Sequence, residues 1–216
     1  MNRLEREKGL YLSCCYTNIM DELDNELFDL FNKFYLKKNI FGVPKDPENK
    51  LSRDYKHTGF PAHVLKTIRA IGRSYDCVIC VLRGGLPYTM IFELYGYKNV
   101  RYVWCSGSGP SGSLEYKEVG PSLKCIKNKR ILIVDNNAFT GNTPLRVFEK
   151  LKQRYNFRSA DLFLDYIVPA SPLMLNGSPL RQFSKIIIAR KTPVLIGKDS
   201  LKKDFLARLK RYMGVK

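Results

Sequence analysis

Lys129-Arg130-Ile131-Leu132-Ile133-Val134-Asp135-Asn136-Asn137-Ala138-Phe139-Thr140-Gly141-Asn142-Thr143-Pro144 is the stretch that decides the fold. Ile131 to Val134 are apolar without alternation, the pattern of a strand covered on both faces in a parallel sheet. The run stops at an acid and two amides. A short loop, Ala138 to Thr143, follows with one glycine and two threonines. Pro144 falls where a first helical turn should begin, a place that tolerates proline because the N–H there lacks a helical partner anyway. Leu145, Val147, Phe148 and Leu151 continue at helical spacing. The segment therefore reads as a strand, a hydroxyl- and glycine-bearing loop, and a helix.

Such a junction suits an anion. The free N–H groups of a helix start and the helix dipole both favour a phosphate. Thr140 and Thr143 can add hydroxyl donors, and Gly141 lets a ligand come close to the backbone. Asp135 stands at the carboxyl end of the strand, where open α/β sheets bind ligands. A carboxylate there can accept hydrogen bonds from sugar hydroxyls. The plainer alternative is an ordinary strand-to-helix turn with threonine as the helix cap.

Upstream, Asp76 to Leu82 holds six apolar residues in a row and reads as a first central strand. It ends in Leu82-Arg83-Gly84-Gly85-Leu86-Pro87. Paired glycines permit close approach, and the Arg83 guanidinium is a fixed charge with a fork that suits phosphate. A tight turn with an incidental arginine is the bland alternative. A helix over about Tyr88–Tyr95 and a second core strand over Asn99–Cys105 follow. Next comes Ser106-Gly107-Ser108-Gly109-Pro110-Ser111-Gly112-Ser113, the most flexible composition in the chain, either a linker or a lid. Leu114 to Lys127 would form the arms of that excursion. Beyond the central motif the helix should run to about Tyr155. Ala160–Val168 and Lys185–Ala189 read as further strands, with a polar, irregular stretch over Ser171–Ser184 between them.

These residues resemble two motifs of the type I phosphoribosyltransferases. Ile131 to Val134, Asp135 and Thr140-Gly141-Asn142-Thr143 are similar to the motif that holds 5-phosphoribosyl 1-diphosphate (PRPP). Arg83-Gly84-Gly85 is similar to the family's pyrophosphate loop, in the expected order. The likeness covers roughly the middle third of the chain. It implies a doubly wound, mostly parallel α/β core with a small hood built from the chain ends. It also implies transfer of the ribose 5-phosphate of PRPP to a nitrogenous base, with Mg²⁺ and release of pyrophosphate. By the same likeness, Asp135 and Asn136 would hold the ribose hydroxyls, and Asp135 would touch the metal. Ala138, Phe139, Thr140, Gly141, Asn142 and Thr143 would carry the 5-phosphate, with Asn137 among the residues that bind PRPP. Leu82, Arg83, Gly84 and Gly85 would grip the diphosphate, with Arg83 acting beside Asp135 in catalysis. Ser106, Gly107, Ser108 and Gly109 would open a mobile loop, and Ile167 and Val168 would flank the base.

Two positions depart from the family pattern. Its second acid is Asn136 here, and Phe139 stands where enzymes of 6-oxopurines have an aspartate. The acceptor is therefore expected not to be a 6-oxopurine. A member of the fold that senses PRPP or a nucleotide, with little catalysis and with nucleic acid as a less favoured partner, is the alternative.

Composition bounds the rest. The chain has 216 residues, room for one core plus a small cap, and a formal net charge of +17. That charge favours anionic partners and is spread along the chain rather than gathered in a tail. Residues 1–60 are expected to be an N-terminal helical segment, with a helix over 18–38 and a loop-rich connection over 39–60. Residues 61–190 should be the core and 191–216 a basic helix. That last helix could touch nucleic acid or a membrane surface, or simply dock by its apolar face. His57 is read as a surface residue and His63 as structural. Cys77 and Cys80, inside an apolar strand, read as reduced core thiols rather than a metal site. The opening residues Met1 to Glu7 lack the apolar core of a signal peptide, which suggests a cytoplasmic protein, expected as a homodimer.

Overall fold

The computed structural model describes residues 26–27, 29–30, 33, 62–82, 84–107, 114–138, 140–167, 179–189 and 198–215. The connection over 39–60, His57 and most of the segment over 171–184 lie outside the described residues.

The chain forms two compact units, with the division falling after Leu65 and again after Pro193. The larger unit is built on one sheet. Its strands are β1 (Cys77–Leu82), β2 (Val100–Gly107), β3 (Leu114–Val119), β4 (Arg130–Ala138), β5 (Ser159–Ile167) and β6 (Ile186–Ile188). Their order across the sheet is β3-β2-β1-β4-β5-β6. All neighbours are parallel except β3, which runs antiparallel to β2 at one edge. This is the mixed, mostly parallel α/β architecture that the unbroken apolar runs require, because both sheet faces must be covered.

Helices cover both faces. Four α-helices are bounded among the described residues: α1 (Ala62–Ile71), α2 (Leu86–Leu94), α3 (Asn142–Tyr155) and α4 (Lys198–Met213). On one face, Val147 and Leu151 of α3 pack with Ile79, Ile131, Ile133, Leu162 and Leu164. On the other, Phe92 of α2 meets Phe163 of β5 edge-on, with ring centroids 5.7 Å apart, and Tyr88 leans on the same ring at 5.9 Å. The alternation along β5 decides this: Leu162 and Leu164 point to α3, whereas Phe163 points to α2.

Several boundaries differ from those the sequence suggests. Helix α2 starts at Leu86 rather than near Tyr88, with Gly85 as its N-cap and Pro87 in its first turn. Strand β2 runs on through Ser106 and Gly107, because both pair with β3, opposite Glu115 and Leu114. Strand β4 continues past Val134 to Ala138, since β5 runs alongside it: Asp135 pairs with Leu164, Asn137 with Tyr166 and Ala138 with Ile167. The end of β4 at Ala138 and the start of α3 at Asn142 are therefore close in the chain.

The smaller unit includes α4 and the described helical residues Glu26, Leu27, Asp29, Leu30 and Lys33. Lys210 of α4 pairs with Glu26 at 2.5 Å. Phe205, Leu206 and Leu209 are buried, and so is Lys202. Lys202 lies one turn before Phe205 and Leu206, so helical spacing puts it on the same stripe. Among the described residues, no helix is long and apolar enough to cross a membrane.

Candidate functional site

The strand order reverses between β1 and β4. From β1 the chain goes outward to β2, and from β4 it goes the other way to β5 and β6. In an open α/β sheet that reversal leaves a crevice beyond the carboxyl ends of the two strands. The turn after β1 and the end of β4 meet there. Cys80 pairs with Val134, so Leu82 and Asn136 reach the sheet edge together.

Contact between the two segments is close enough to explain both glycines. A methyl group on Gly84 would collide with the Asn136 Oδ1 and stand 2.7 Å from the Asp135 Oδ1. One on Gly85 would strike the carbonyl oxygen of Val134. Neither glycine has a left-handed backbone, so the requirement is space, not dihedral freedom. Gly85 also donates its N–H to the Val81 carbonyl at 2.8 Å, which turns the chain directly from β1 into α2.

Asp135 is 7% exposed, and its Oδ1 accepts the Asn136 N–H at 2.8 Å. Burial pushes its carboxyl up to about 7, and the Asn136 N–H only partly opposes the rise. A cation brought beside it would restore the charge. The described residues contain no group of three or more His, Cys, Asp or Glu able to hold a metal. Asp135 is an oxygen donor of the kind a hard divalent cation takes.

Past β4, Gly141 takes φ 77° and caps α3 with no side-chain hydrogen bond to the first turn. A left-handed residue here is why the loop has glycine at this point. Asn142 N–H faces the Thr140 Oγ1 at 3.4 Å, a long contact. Thr140 is exposed, Thr143 half-buried and Pro144 buried. The helix start thus presents backbone N–H groups and hydroxyls to whatever lies at the sheet's edge, the donor set an anion needs.

The structure brings together Leu82, Gly84, Gly85, Asp135 and Asn136, with the strand running on through Asn137 and Ala138 to the Thr140–Thr143 turn. Arg83, Phe139, Ser108, Gly109 and Val168 lie outside the described residues. Ile167 ends β5 in the pair with Ala138. Sequence reasoning passed over Asp165 and Tyr88. Asp165 is 2% exposed and accepts the Tyr88 hydroxyl at 3.0 Å. Its signal was present in the sequence: a carboxylate interrupts the apolar run from Leu162 to Ile167, and a buried acid needs a reason.

No protein-family model matches the chain, and no curated protein matches it. Solved structures with similar folds include a purine phosphoribosyltransferase from Pyrococcus horikoshii, 17% identical over 58% of this chain and 79% of its own, TM-score 0.44. Another is a xanthine-guanine-hypoxanthine phosphoribosyltransferase from Helicobacter pylori, 16% identical over 62% of this chain and 84% of its own, TM-score 0.48. A third is an orotate phosphoribosyltransferase from Aeropyrum pernix, 20% identical over 58% of this chain and 68% of its own, TM-score 0.41. Likeness at this level adds nothing to what the strand order already shows.

Proposed function

We propose that the chain is a phosphoribosyltransferase, transferring the ribose 5-phosphate of PRPP to a nitrogenous base other than a 6-oxopurine and releasing pyrophosphate. The observation that carries this reading is the meeting of two turns at one switch point, Gly84-Gly85 against Asp135-Asn136, with an uncapped helix start one short loop away. A diphosphate and a phosphate joined through a ribose need two anion sites with hydroxyl acceptors between them.

In this account the 5-phosphate rests on the backbone of residues 139–143 and on the hydroxyls of Thr140 and Thr143. Asp135 and Asn136 take the ribose hydroxyls. The turn from Leu82 through Arg83, Gly84 and Gly85 takes the diphosphate; Asp135 would hold a Mg²⁺ ion, which would supply charge neutralisation for the leaving pyrophosphate. As the C1–diphosphate bond breaks, positive charge develops on the sugar, and a carboxylate beside it stabilises that charge most where water is excluded. The connection between β2 and β3 would close over the sugar, and Ile167 and Val168 would flank the base. Cytoplasmic location and a homodimer go with this reading.

Pyrophosphate release from PRPP and Mg²⁺ against a panel of bases tests it. Turnover with at least one base is expected. PRPP binding with no turnover for any base would replace the enzyme by a PRPP sensor, a reading that the amide at Asn136 and the net charge of +17 would then support. No binding at all would remove both.

A further inference from the structure

We propose that the amino-terminal edge of the sheet, opposite the crevice, binds double-helical nucleic acid by its phosphates. The proposal stands apart from the PRPP reading. The turns that lead into the strands meet at this edge. The Asn99 carbonyl accepts the Val78 N–H and the Asn99 side chain donates to the Asp76 carbonyl, which ties the start of β2 to β1. The Lys129 carbonyl accepts the Arg158 N–H at 2.9 Å, and the Lys185 carbonyl accepts the Leu162 N–H at 2.9 Å. The Arg73 guanidinium lies against Gly96, shortly before Lys98. Lys98, Arg73, Lys127, Lys129, Arg158 and Lys185 therefore form a row that follows the strand order β2-β1-β4-β5-β6. All are exposed, and none forms an ion pair with a described residue. The described acids of this edge are Asp76, whose Oδ2 accepts the Arg130 N–H, and the buried Asp161, paired with the Arg130 side chain.

Charge is segregated between the two edges. At the carboxyl-terminal edge, residues 84–86, 106–107, 135–138, 140–143 and 165–167 contain no lysine or arginine. A surface charged only for solubility mixes its signs. The dipoles of α1, α2 and α3 end at the amino-terminal edge and favour some cations there. Lys127, Lys129 and Lys185, however, follow no α-helix. With strands about 4.8 Å apart the row is roughly 19 Å long, and a duplex offers about one charge per 1.7 Å of its axis. The aromatic rings of these turns, Tyr75, Tyr97, Phe157 and Phe183, are buried, so the described residues offer no platform for the bases of a single strand. The exposed large apolar residues among those described are Tyr212 and Val215, in the smaller unit, so this edge has nothing to insert into a bilayer. Contacts to phosphate alone carry no sequence information.

Fluorescence anisotropy of labelled duplexes of about 20 base pairs, titrated with the full chain at several salt concentrations, tests the proposal. RNA and DNA duplexes of unrelated sequence should bind alike, and more tightly than a single strand of equal length. Lys127→Gln/Lys129→Gln/Lys185→Gln should lose about tenfold in affinity and lower the salt slope by roughly 3. Lys117→Gln/Lys203→Gln/Arg211→Gln removes the same charge from other exposed positions and should change affinity less than about twofold. Both triple variants should melt with the wild type, since the exchanged side chains are exposed. Saturating PRPP with Mg²⁺ should leave duplex affinity unchanged, because the crevice lies at the other edge. Equal losses from the two triple variants would overturn the proposal, as would displacement of the duplex by PRPP. Binding to polyglutamate or to phosphatidylserine vesicles but not to duplex would overturn it too, and would assign the edge to an acidic protein or a membrane. A wild type that binds duplex but no PRPP would overturn the PRPP reading and leave this one standing.

Discussion

Asp161 and Asp165 are both buried on the same face of β5, one near each end, and their surroundings differ. Asp161 accepts the Tyr75 hydroxyl at 2.6 Å and pairs with the Arg130 guanidinium at 2.9 Å. That guanidinium lies over the Tyr75 ring, 4.6 Å from its centre, and the hydrogen bond it donates to Asp161 raises its pKa. Asp76 adds a tie between β1 and β4: its Oδ2 accepts the Arg130 N–H at 2.8 Å, while its own N–H reaches the Arg130 carbonyl at 2.9 Å. The amino-terminal edge of the sheet is thus a lock, with charge met by charge. At the carboxyl-terminal edge, Asp165 accepts the Tyr88 hydroxyl and Asp135 accepts the Asn136 N–H. A buried acid paired with a cation holds a fold together; a buried acid such as Asp135, whose pKa burial raises, costs stability and is worth keeping when a ligand completes it.

Breaking the lock should give the largest loss of stability. Asp161→Ala leaves Arg130 and Tyr75 without their partner and should cost about 3 kcal/mol, read as a lower midpoint in denaturant, with PRPP affinity unchanged below the transition. An equal loss of affinity would mean that the two edges are not separate in function.

The opposite edge should respond in the opposite direction. Burial raises the Asp135 carboxyl to about 7 in the folded chain, against about 3.9 unfolded. Between those values the folded state keeps a proton that the unfolded state has released. This group's contribution to stability therefore falls as pH rises from about 4 to about 7 and is level above that. Asp135→Asn should remove the slope and stabilise the chain at pH 8 by about 2 kcal/mol, while weakening PRPP binding about a hundredfold. Denaturant titrations across pH 4–8 check the first part. A variant that loses stability at pH 8 would place Asp135 with Asp161, as part of the fold.

The two glycines sharpen the distinction within one turn. Gly85→Ala meets a backbone carbonyl and should destabilise by about 2 kcal/mol, whereas Gly84→Ala meets the movable side chains of Asn136 and Asp135. Gly84→Ala should therefore melt close to the wild type yet lose PRPP affinity. The smallest effect is expected for Gly141→Ala, about 1 kcal/mol from the strain of a left-handed alanine, read in the same melts.

The apolar runs at Cys77–Leu82 and Ile131–Val134 made the parallel sheet legible, because full burial on both faces leaves no room for alternation. Asp135 was legible for the same reason, as the first polar residue after such a run. The carboxyl ends of the strands were less so. Asn136, Asn137 and Ala138 read as loop, yet they stay in the sheet because β5 supplies a ladder for them, a fact of pairing rather than of composition. Ser106 and Gly107 read as flexible and are held by β3 in the same way. Asp165 stood in the sequence as a carboxylate among apolar residues, but its place beside Asn136 depends on register, which is not written in either strand alone.

Amide hydrogen exchange with and without PRPP and Mg²⁺ tests the central claim most directly. One ligand spanning the switch point should slow exchange at Gly84–Leu86 and at Gly141–Thr143 together, at the same PRPP concentration, and leave the Tyr75–Arg130–Asp161 edge unchanged. Slowing at only one of the two turns, or at neither, would contradict it.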